Sequence, residues 1–271
     1  MKIITGKRNI VEINSQYVLK IGEKFESVRP KRLLIEKFVM EKLEKYGISV
    51  PKVLNYGIFV DGREYIKIKH IKGKKVSPKD SSVNLFGIYR NIGNQLRKIP
   101  LEFKRFGWIN PATFDGEFAT WNKYLYNFVQ KYGLRLCIRG ILKKSQIAIV
   151  LKYIKKLPDN FKTAGFVHKD LKPQNLIFNP RNKRVYILDW ENAILGDPLL
   201  DVAILKTNFK NQKIYHGFIK GFLNRSLDNT ERKNIDLYSV IAIIGALNFN
   251  LKNNLSLREI YTLNEQIERL K

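Results

Sequence analysis

Residues 168–175 read H-K-D-L-K-P-Q-N and run into an apolar stretch, L-I-F. The chain carries 50 Lys and Arg against 24 Asp and Glu, so a carboxylate set between Lys169 and Lys172 asks for a chemical reason. Asn175, a second oxygen-bearing side chain, closes the motif that Asp170 opens. Residues 175–178 and 184–188 are strand-like, and the N-P-R-N-K between them is rich in turn formers. Closing such a hairpin brings its open ends together, with Asn175 on one and Asp189 on the other. Asp170 lies on the loop that leads in, so three side-chain oxygens converge at one mouth. Mg2+ takes oxygen ligands of this kind, one or two from protein and the rest from phosphates and water. A carboxylate beside the metal but not bound to it can orient or deprotonate a hydroxyl. Asp170 is therefore read as a base, and the neighbouring lysines as facing phosphate charge.

The elements that would hold these groups begin near the N-terminus. Residues 17–21, Y-V-L-K-I, read as a strand that carries Lys20 where an exposed cation is not expected. Residues 29–46 read as a helix, with Pro30 near its first turn and Gly47 past its end. Leu33, Ile35, Val39, Met40 and Leu43 share one arc of that helix, and Glu36 falls in the middle of it. A buried carboxylate is costly unless paired, so Lys20 and Glu36 are expected to meet. Residues 52–60 and 64–69 form two strands joined by Asp61-Gly62, a strong hairpin signal. The polar stretch 72–78, K-G-K-K-V-S-P, is the best linker. From about residue 84 helical patterns dominate, broken by the apolar hairpin at 175–188. A last helix is expected to pack through Leu257, Ile260, Tyr261, Ile267 and Leu270. The organisation is a small sheet-rich lobe, a short hinge and a larger helical lobe.

Composition narrows the function classes. At 271 residues, with 44% hydrophobic and 27% charged residues, the chain is globular and long enough for two lobes around a cleft. Its longest apolar stretch, 240–247, is interrupted by Gly245 and followed by Asn248 and Asn250, which fits a buried helix rather than a membrane span. The N-terminal M-K-I-I-T-G-K-R-N has neither an apolar core nor a cleavage pattern of a secretory signal. Cys137 is alone, which fits a reducing cytoplasm, and no zinc constellation is present. A net charge of +26 favours anions such as nucleotides, nucleic acid or an acidic membrane face. The alternative is a lysine-rich composition with no functional meaning, since the lysines are scattered.

Taken together, these segments resemble the kinase-like phosphotransferases, and more closely the aminoglycoside phosphotransferase/choline kinase superfamily, along nearly the whole chain. H-K-D-L-K-P-Q-N (168–175) is similar to the catalytic loop, I-L-D-W-E-N-A (187–193) to the metal-binding segment, and G-D-P-L-L-D-V-A (196–203) to the helix start that follows it. Y-V-L-K-I, Glu36 and V-P-K-V-L (50–54) resemble the lysine strand, its partner helix and the next strand. F-G-W-I-N (106–110) and T-W-N-K-Y-L (120–125) resemble segments of the large lobe. The resemblance implies an α+β, bilobal protein-kinase-like fold. A small antiparallel-sheet lobe over residues 1–71 would bind nucleotide, and a larger helical lobe over 72–271 would carry the catalytic loop and acceptor site. It implies ATP as donor and Mg2+ as cofactor, with Asp170 as catalytic base and Asn175 and Asp189 as Mg2+ ligands. Lys20 would bind the ATP phosphates and be held by Glu36. Lys69, His70 and Ile71 would form the hinge that meets adenine, and Gly6 in T-G-K-R-N the phosphate loop, with fewer glycines than such loops usually carry. His168 and Asp201 would brace the catalytic loop.

The same loop also resembles protein Ser/Thr kinases, in which a lysine at the position of Lys172 touches the transferred phosphate. Against that reading, Asp189 is followed by Trp190-Glu191 rather than Phe-Gly, and Asp201 follows too soon for a long activation segment. A compact protein kinase and a non-catalytic anion- or RNA-binding module on a kinase scaffold are the two alternatives to a small-molecule phosphotransferase. For the acceptor, charge is the guide. Between residues 84 and 167 the acids are Glu102, Asp115, Glu117 and Asp159 amid many bases, so a polycation would meet repulsion. A single amine could be held by the aromatic faces of Trp108, Trp121, Tyr124, Tyr126 or Trp190. A neutral or anionic hydroxyl acceptor, such as a sugar or a phosphorylated metabolite, is expected first and an amino alcohol second.

Overall fold

The alternating segments near the N-terminus build one antiparallel sheet, in the order β1-β2-β3-β5-β4, in a computed structural model that describes residues 2–5, 9–22, 31–79, 84–157, 163–209, 211–251 and 257–270. Its strands are β1 (Lys2–Thr5), β2 (Asn9–Ile13), β3 (Tyr17–Gly22), β4 (Val53–Ile58) and β5 (Glu64–Lys69). Asp61-Gly62 makes the expected turn between the last two, with Gly62 at φ 83° and the Phe59 N–H bonded to the Arg63 carbonyl at 2.8 Å. Helix α1 (Arg32–Lys45) lies on the inner face and buries Leu33, Ile35, Glu36, Val39, Met40 and Leu43. The arc drawn from the sequence, Glu36 included, is the arc that is buried. Glu64 of β5 accepts the backbone N–H groups of Leu33 and Leu34, each at 3.3 Å, so an acid from the sheet serves the positive end of the helix. The expected helix start at residues 29–30 lies outside the described residues.

The stretch expected to be a linker is partly a strand. Lys74–Lys75 (β6) pairs antiparallel with β10 (Leu176–Asn179), which pairs in turn with β11 (Arg184–Ile187). The connection is thereby tied to the hairpin that carries the site. The helical remainder is interrupted by a further sheet, in the order β8-β7-β12-β9, formed by β7 (Phe106–Ile109), β8 (Gly116–Phe118), β9 (Gly165–Val167) and β12 (Ile194–Gly196). Strands of three or four residues are too short to show a period of two.

Around these sheets pack α2 (Leu85–Leu96), α3 (Trp121–Ile138), α4 (Lys144–Lys156), α5 (Leu199–Asn208), α6 (Gln212–Phe222), α7 (Asn229–Asn250) and α8 (Leu257–Arg269). The backbones of α2 and α6 touch: a Cβ on Gly93 would come within 2.4 Å of the Phe218 carbonyl, and one on Gly221 within 2.1 Å of the Arg90 carbonyl. Within α8, Leu263 and Ile267 are fully buried and Leu270 nearly so, whereas Tyr261 is 70% exposed. Leu263, not Tyr261, completes the packed stripe.

One polar chain runs through this core. The Trp121 indole N–H donates to the Tyr238 hydroxyl at 2.8 Å, and that hydroxyl donates to Asp197 at 2.9 Å. The other Asp197 oxygen accepts the Leu199 N–H at 2.9 Å. Burial pushes the Asp197 carboxyl up to about 6, against the pull of those two hydrogen bonds.

Candidate active site

Strand β9 delivers the chain into the loop 168–172, and a single 3-10 turn, Pro173–Asn175, carries it out into β10. The Leu188 N–H donates to the Asn175 carbonyl at 2.9 Å, which closes the open end of the hairpin and sets Asn175 and Asp189 side by side in the chain fold. The loop then curls onto itself. Asn175 Nδ2 donates to the Asp170 carbonyl at 2.9 Å and to its carboxylate at 3.0 Å, and Lys172 Nζ reaches the same carboxylate at 2.6 Å. With its amide nitrogen committed, Asn175 keeps its Oδ1 as the atom that can serve a cation.

Two buried residues hold this loop. Asp201 accepts the backbone N–H groups of His168 at 2.8 Å and Lys169 at 2.7 Å. Burial pushes its carboxyl above the ordinary range, opposed by those hydrogen bonds and by the charge of Lys169. The His168 ring accepts the Asp170 N–H on Nδ1 at 3.1 Å and faces the Leu188 carbonyl with Nε2 at 2.8 Å. That pattern is met by the neutral ring with its proton on Nε2. His168 is wholly buried against Trp190, ring centroids 4.4 Å apart, a position from which it braces rather than shuttles. Trp190 itself is fully buried and belongs to the core, not to an open pocket. Tyr89 of α2, unforeseen in the sequence, donates its hydroxyl to the Leu171 carbonyl at 2.8 Å.

The opposing group of residues centres on Lys20. Its Nζ lies 3.0 Å from Glu36, 2.7 Å from Asp189 and 2.7 Å from Glu191. Burial works against a charged lysine, but the three carboxylates outweigh it and hold the ammonium above its ordinary range. Glu36 is pushed up by burial and by Asp189 and Glu191, with Lys20 pulling the other way. For Asp189, burial pushes up, but Lys20, by charge and hydrogen bond, and Lys172 prevail and its carboxyl is lowered. Glu191 was missed by the sequence reading. It stands two residues beyond Asp189, and because the chain turns between them rather than extends, its meeting with Lys20 has no local signal in the sequence. Asn9 of β2 also donates to Glu191, at 2.8 Å. Asp189 takes φ 66°, a left-handed backbone that a non-glycine residue adopts at a cost of about 1–3 kcal/mol and that clusters at functional sites.

Glu36, Asp189 and Glu191 each present an oxygen within 4.8 Å of the others. Three carboxylates against one ammonium leave a surplus of negative charge, and an all-oxygen donor set suits a hard divalent cation. Mg2+ therefore fits the residues present, and Asp189 and Asn175 would hold it. Of the expected hinge, Lys69 and His70 have their N–H groups committed to the carbonyls of Lys52 at 2.8 Å and Gln16 at 3.0 Å. Gly6 lies outside the described residues.

Asp170 also lines a cavity of about 490 Å3 between α3, α5 and α7. Its walls include Leu125 and Phe128 of α3 and Ile241, Ala242 and Gly245 of α7. The charged residues among those described in its lining are Arg32, Lys169, Lys172 and Asp170. Of the aromatic residues expected to hold a cation, Trp121 and Trp190 are sealed in the core, and the Trp108 ring carries the Lys169 ammonium 4.0 Å from its centroid.

With this geometry in hand, the chain can be set beside known proteins. The family model described as APH, phosphotransferase enzyme family, matches residues 5–232. Acyl-CoA dehydrogenase family member 11 of Pongo abelii is 28% identical over 178 residues, and that of Homo sapiens 27% over 178 residues. The aligned part is 61% of this chain and 21% of each relative, so the chain spans about a fifth of the length of the curated relatives it matches. Among solved structures, the apo form of the aminoglycoside phosphotransferase APH(4)-Ia superposes with a TM-score of 0.73 at 15% identity, covering 100% of this chain and 94% of that one. A choline/ethanolamine kinase family protein from Mesorhizobium loti gives 0.65 at 18% identity, covering 99% and 86%. The architecture is thus the mixed, protein-kinase-like fold of these phosphotransferases, as the sequence implies.

Proposed function

This chain belongs to the phosphotransferase enzyme family, and from that premise we propose that it moves the γ-phosphate of ATP to a hydroxyl of a neutral or anionic small molecule. The observation that carries the proposal is the position of Asp170. One carboxylate lines a cavity of the size that small ligands occupy, about 300–1,000 Å3, and is bonded to Asn175 at 3.0 Å, beside the carboxylate group around Lys20. The solved structure of APH(4)-Ia with AMP-PNP and hygromycin B supports ATP as donor for this fold.

Asp170 would accept the proton of the acceptor hydroxyl as its oxygen attacks the γ-phosphorus, and the bond from that phosphorus to the β-phosphate oxygen breaks as ADP leaves. Lys172, bonded to Asp170, would neutralise phosphate charge as it builds. Lys20 would hold the nucleotide phosphates, fixed in place by Glu36. When bound, Mg2+ supplies charge neutralisation and orientation of the phosphates. Catalysis of this kind is mainly positioning and electrostatics.

The half-buried indole of Trp108 beside the base already carries the Lys169 ammonium, 4.0 Å from its centroid, which supports a neutral or anionic acceptor over an amino alcohol. A compact protein kinase is less well supported: β12 and α5 follow Asp189 at once and leave no substrate platform. The test is ATP consumption with and without Mg2+ against sugars, hydroxy acids, amino alcohols, aminoglycosides and a protein mixture. Metal-dependent turnover with a sugar or hydroxy acid is expected. Turnover confined to proteins or to amines would sink the proposal, and the absence of any ATP turnover would favour a binding module.

A further inference from the structure

We propose that the corner between α3 and α4 is a docking surface for an anionic phospholipid bilayer, which it enters with Leu134 and Ile138 and holds through the lysines and arginines around them. None of these residues lines the cavity beside Asp170, and the surface stands independently of the phosphotransferase reading.

Residues 118–158 hold nine Lys and Arg and no Asp or Glu, so α3 and α4 carry no carboxylate of their own to answer these cations. The joint between the two helices is fixed by the backbone. Helix α3 ends at Ile138, and Gly140 follows at φ 71°. The Gly140 N–H bonds the Cys137 carbonyl at 3.0 Å, and the Ile141 N–H bonds the Leu136 carbonyl at 2.9 Å. Such a pair of bonds closes a helix end, with glycine in the left-handed conformation it enters freely. The corner therefore has its shape before any partner arrives.

In the last turns of α3, Lys131, Leu134, Arg135 and Ile138 recur at intervals of three and four and share one face. That face is turned to water: Leu134 is 43% and Ile138 84% exposed, and Lys131 and Arg135 are exposed beside them. The Tyr132 ring lies under both cations, 5.6 Å from Lys131 and 5.5 Å from Arg135, an attraction that keeps them along the helix. Arg139, Lys143 and Lys144, all exposed, follow at the corner itself. None of these five cations is in a salt bridge among the described residues. On α8, which meets α4 where Gln146 bonds Asn264, Glu265 is paired with Arg269. Exposed aliphatic side chains fringed by cations match an anionic bilayer, whose headgroups take the charge and whose acyl boundary takes the apolar tips. A nucleic acid would use the cations but give Leu134 and Ile138 no partner, since single strands are gripped by aromatic faces. A second copy of this chain would set like charges against each other.

Flotation of the intact chain with phosphatidylcholine vesicles, with and without about 30% phosphatidylglycerol, tests the surface without any turnover. Binding should require the anionic lipid. Arg135→Gln and Arg139→Gln should each weaken it about fivefold, the effect of one cation near a charged surface. Ile138→Ser should weaken it about tenfold through lost aliphatic contact. Arg181→Gln and Lys183→Gln remove exposed cations from the turn between β10 and β11. They lower the overall charge equally and should change binding by under about twofold. Ile138→Trp adds an indole whose emission should shift to the blue with the anionic vesicles alone. Losses from the turn variants equal to that from Arg135→Gln would overturn the inference, because net charge and not the corner would then drive binding. So would the lack of a blue shift, or of any binding to the anionic vesicles. Tighter binding of polyuridylate, weakened by Arg135→Gln and untouched by Ile138→Ser, would assign the surface to nucleic acid instead.

Discussion

A lysine that faces three carboxylates inside a protein sets a local charge, and at Lys20 that charge is negative. The nearest oxygens of Glu36, Asp189 and Glu191 lie 3.0, 2.7 and 2.7 Å from its Nζ, and one ammonium cannot balance them. A divalent cation beside Asp189 would, so the surplus is a reason for metal affinity as well as a cost of folding. Glu191→Gln keeps the shape and removes one charge. The Mg2+ concentration for half-maximal turnover should then rise about tenfold, checked by metal titration at saturating ATP. Asp170→Asn is the complementary change. The amide still fits between Asn175 and Lys172 but cannot take a proton, so kcat should fall by roughly 10²–10⁴ while nucleotide affinity stays within a few-fold. Near-normal turnover by that variant would remove Asp170 from its role. The residues legible in the sequence were those that broke a local rule: Asp170 among lysines, Glu36 on an apolar arc, Lys20 in an apolar strand. Glu191 and Tyr89 broke none. A glutamate after Trp190 and a tyrosine on an amphipathic helix look ordinary until folding brings them to Lys20 and to the Leu171 carbonyl.

Between elements, position is transmitted by a few buried polar contacts. Gln95 of α2 accepts the Ser49 N–H at 2.6 Å and donates to the Val185 carbonyl at 2.9 Å, while the Ile187 N–H donates to the Ser49 carbonyl at 2.9 Å. The exit of α1, which carries Glu36, is thereby fastened to the hairpin that ends in Asp189. Gln95→Leu leaves the Ser49 N–H and the Val185 carbonyl unpaired and should cost about 2–4 kcal/mol, read by urea denaturation, with a raised KM for Mg-ATP in the folded variant. Asp197 gives a pH dependence with a definite sign. Its folded-state carboxyl titrates at about 6, above an unfolded value near 4. Between those values the folded chain holds a proton that the unfolded chain has released. Its contribution to stability is therefore fully present below about pH 4, is lost as pH rises through 6, and is level above that. Relative to Asp197→Asn, the wild type should lose on the order of 3 kcal/mol between pH 4 and pH 7, and equal pH slopes in the two proteins would refute this. Neither Gln95 nor Asp197 could be singled out beforehand, because each acts through partners distant in sequence. The α1 arc and the Asp61-Gly62 and 175–188 hairpins were legible because their signals are local. The sheet of β7, β8, β9 and β12 was not, because its order joins segments that sequence proximity does not pair.

At the scale of the whole molecule the governing quantity is the charge of +26. No described helix is long and apolar enough to cross a membrane. A field of that sign draws anions toward the cleft and raises their encounter rate, and salt weakens it over a Debye length of about 10 Å at 0.1 M. ATP is itself an anion and will feel the same screening, so salt sensitivity of turnover alone says nothing about the acceptor. The comparison that isolates the acceptor uses a hydroxy acid and its methyl ester at saturating Mg-ATP. The nucleotide contribution is then common to both, and their ratio reports the field at the acceptor site. Raising the salt from about 0.05 to 0.5 M should lower kcat/KM for the acid several-fold more than for the ester. The ester should follow only the shared loss. If acid and ester decline in parallel, the positive surface does not recognise the acceptor, and the lysine excess is a property of composition rather than of the site.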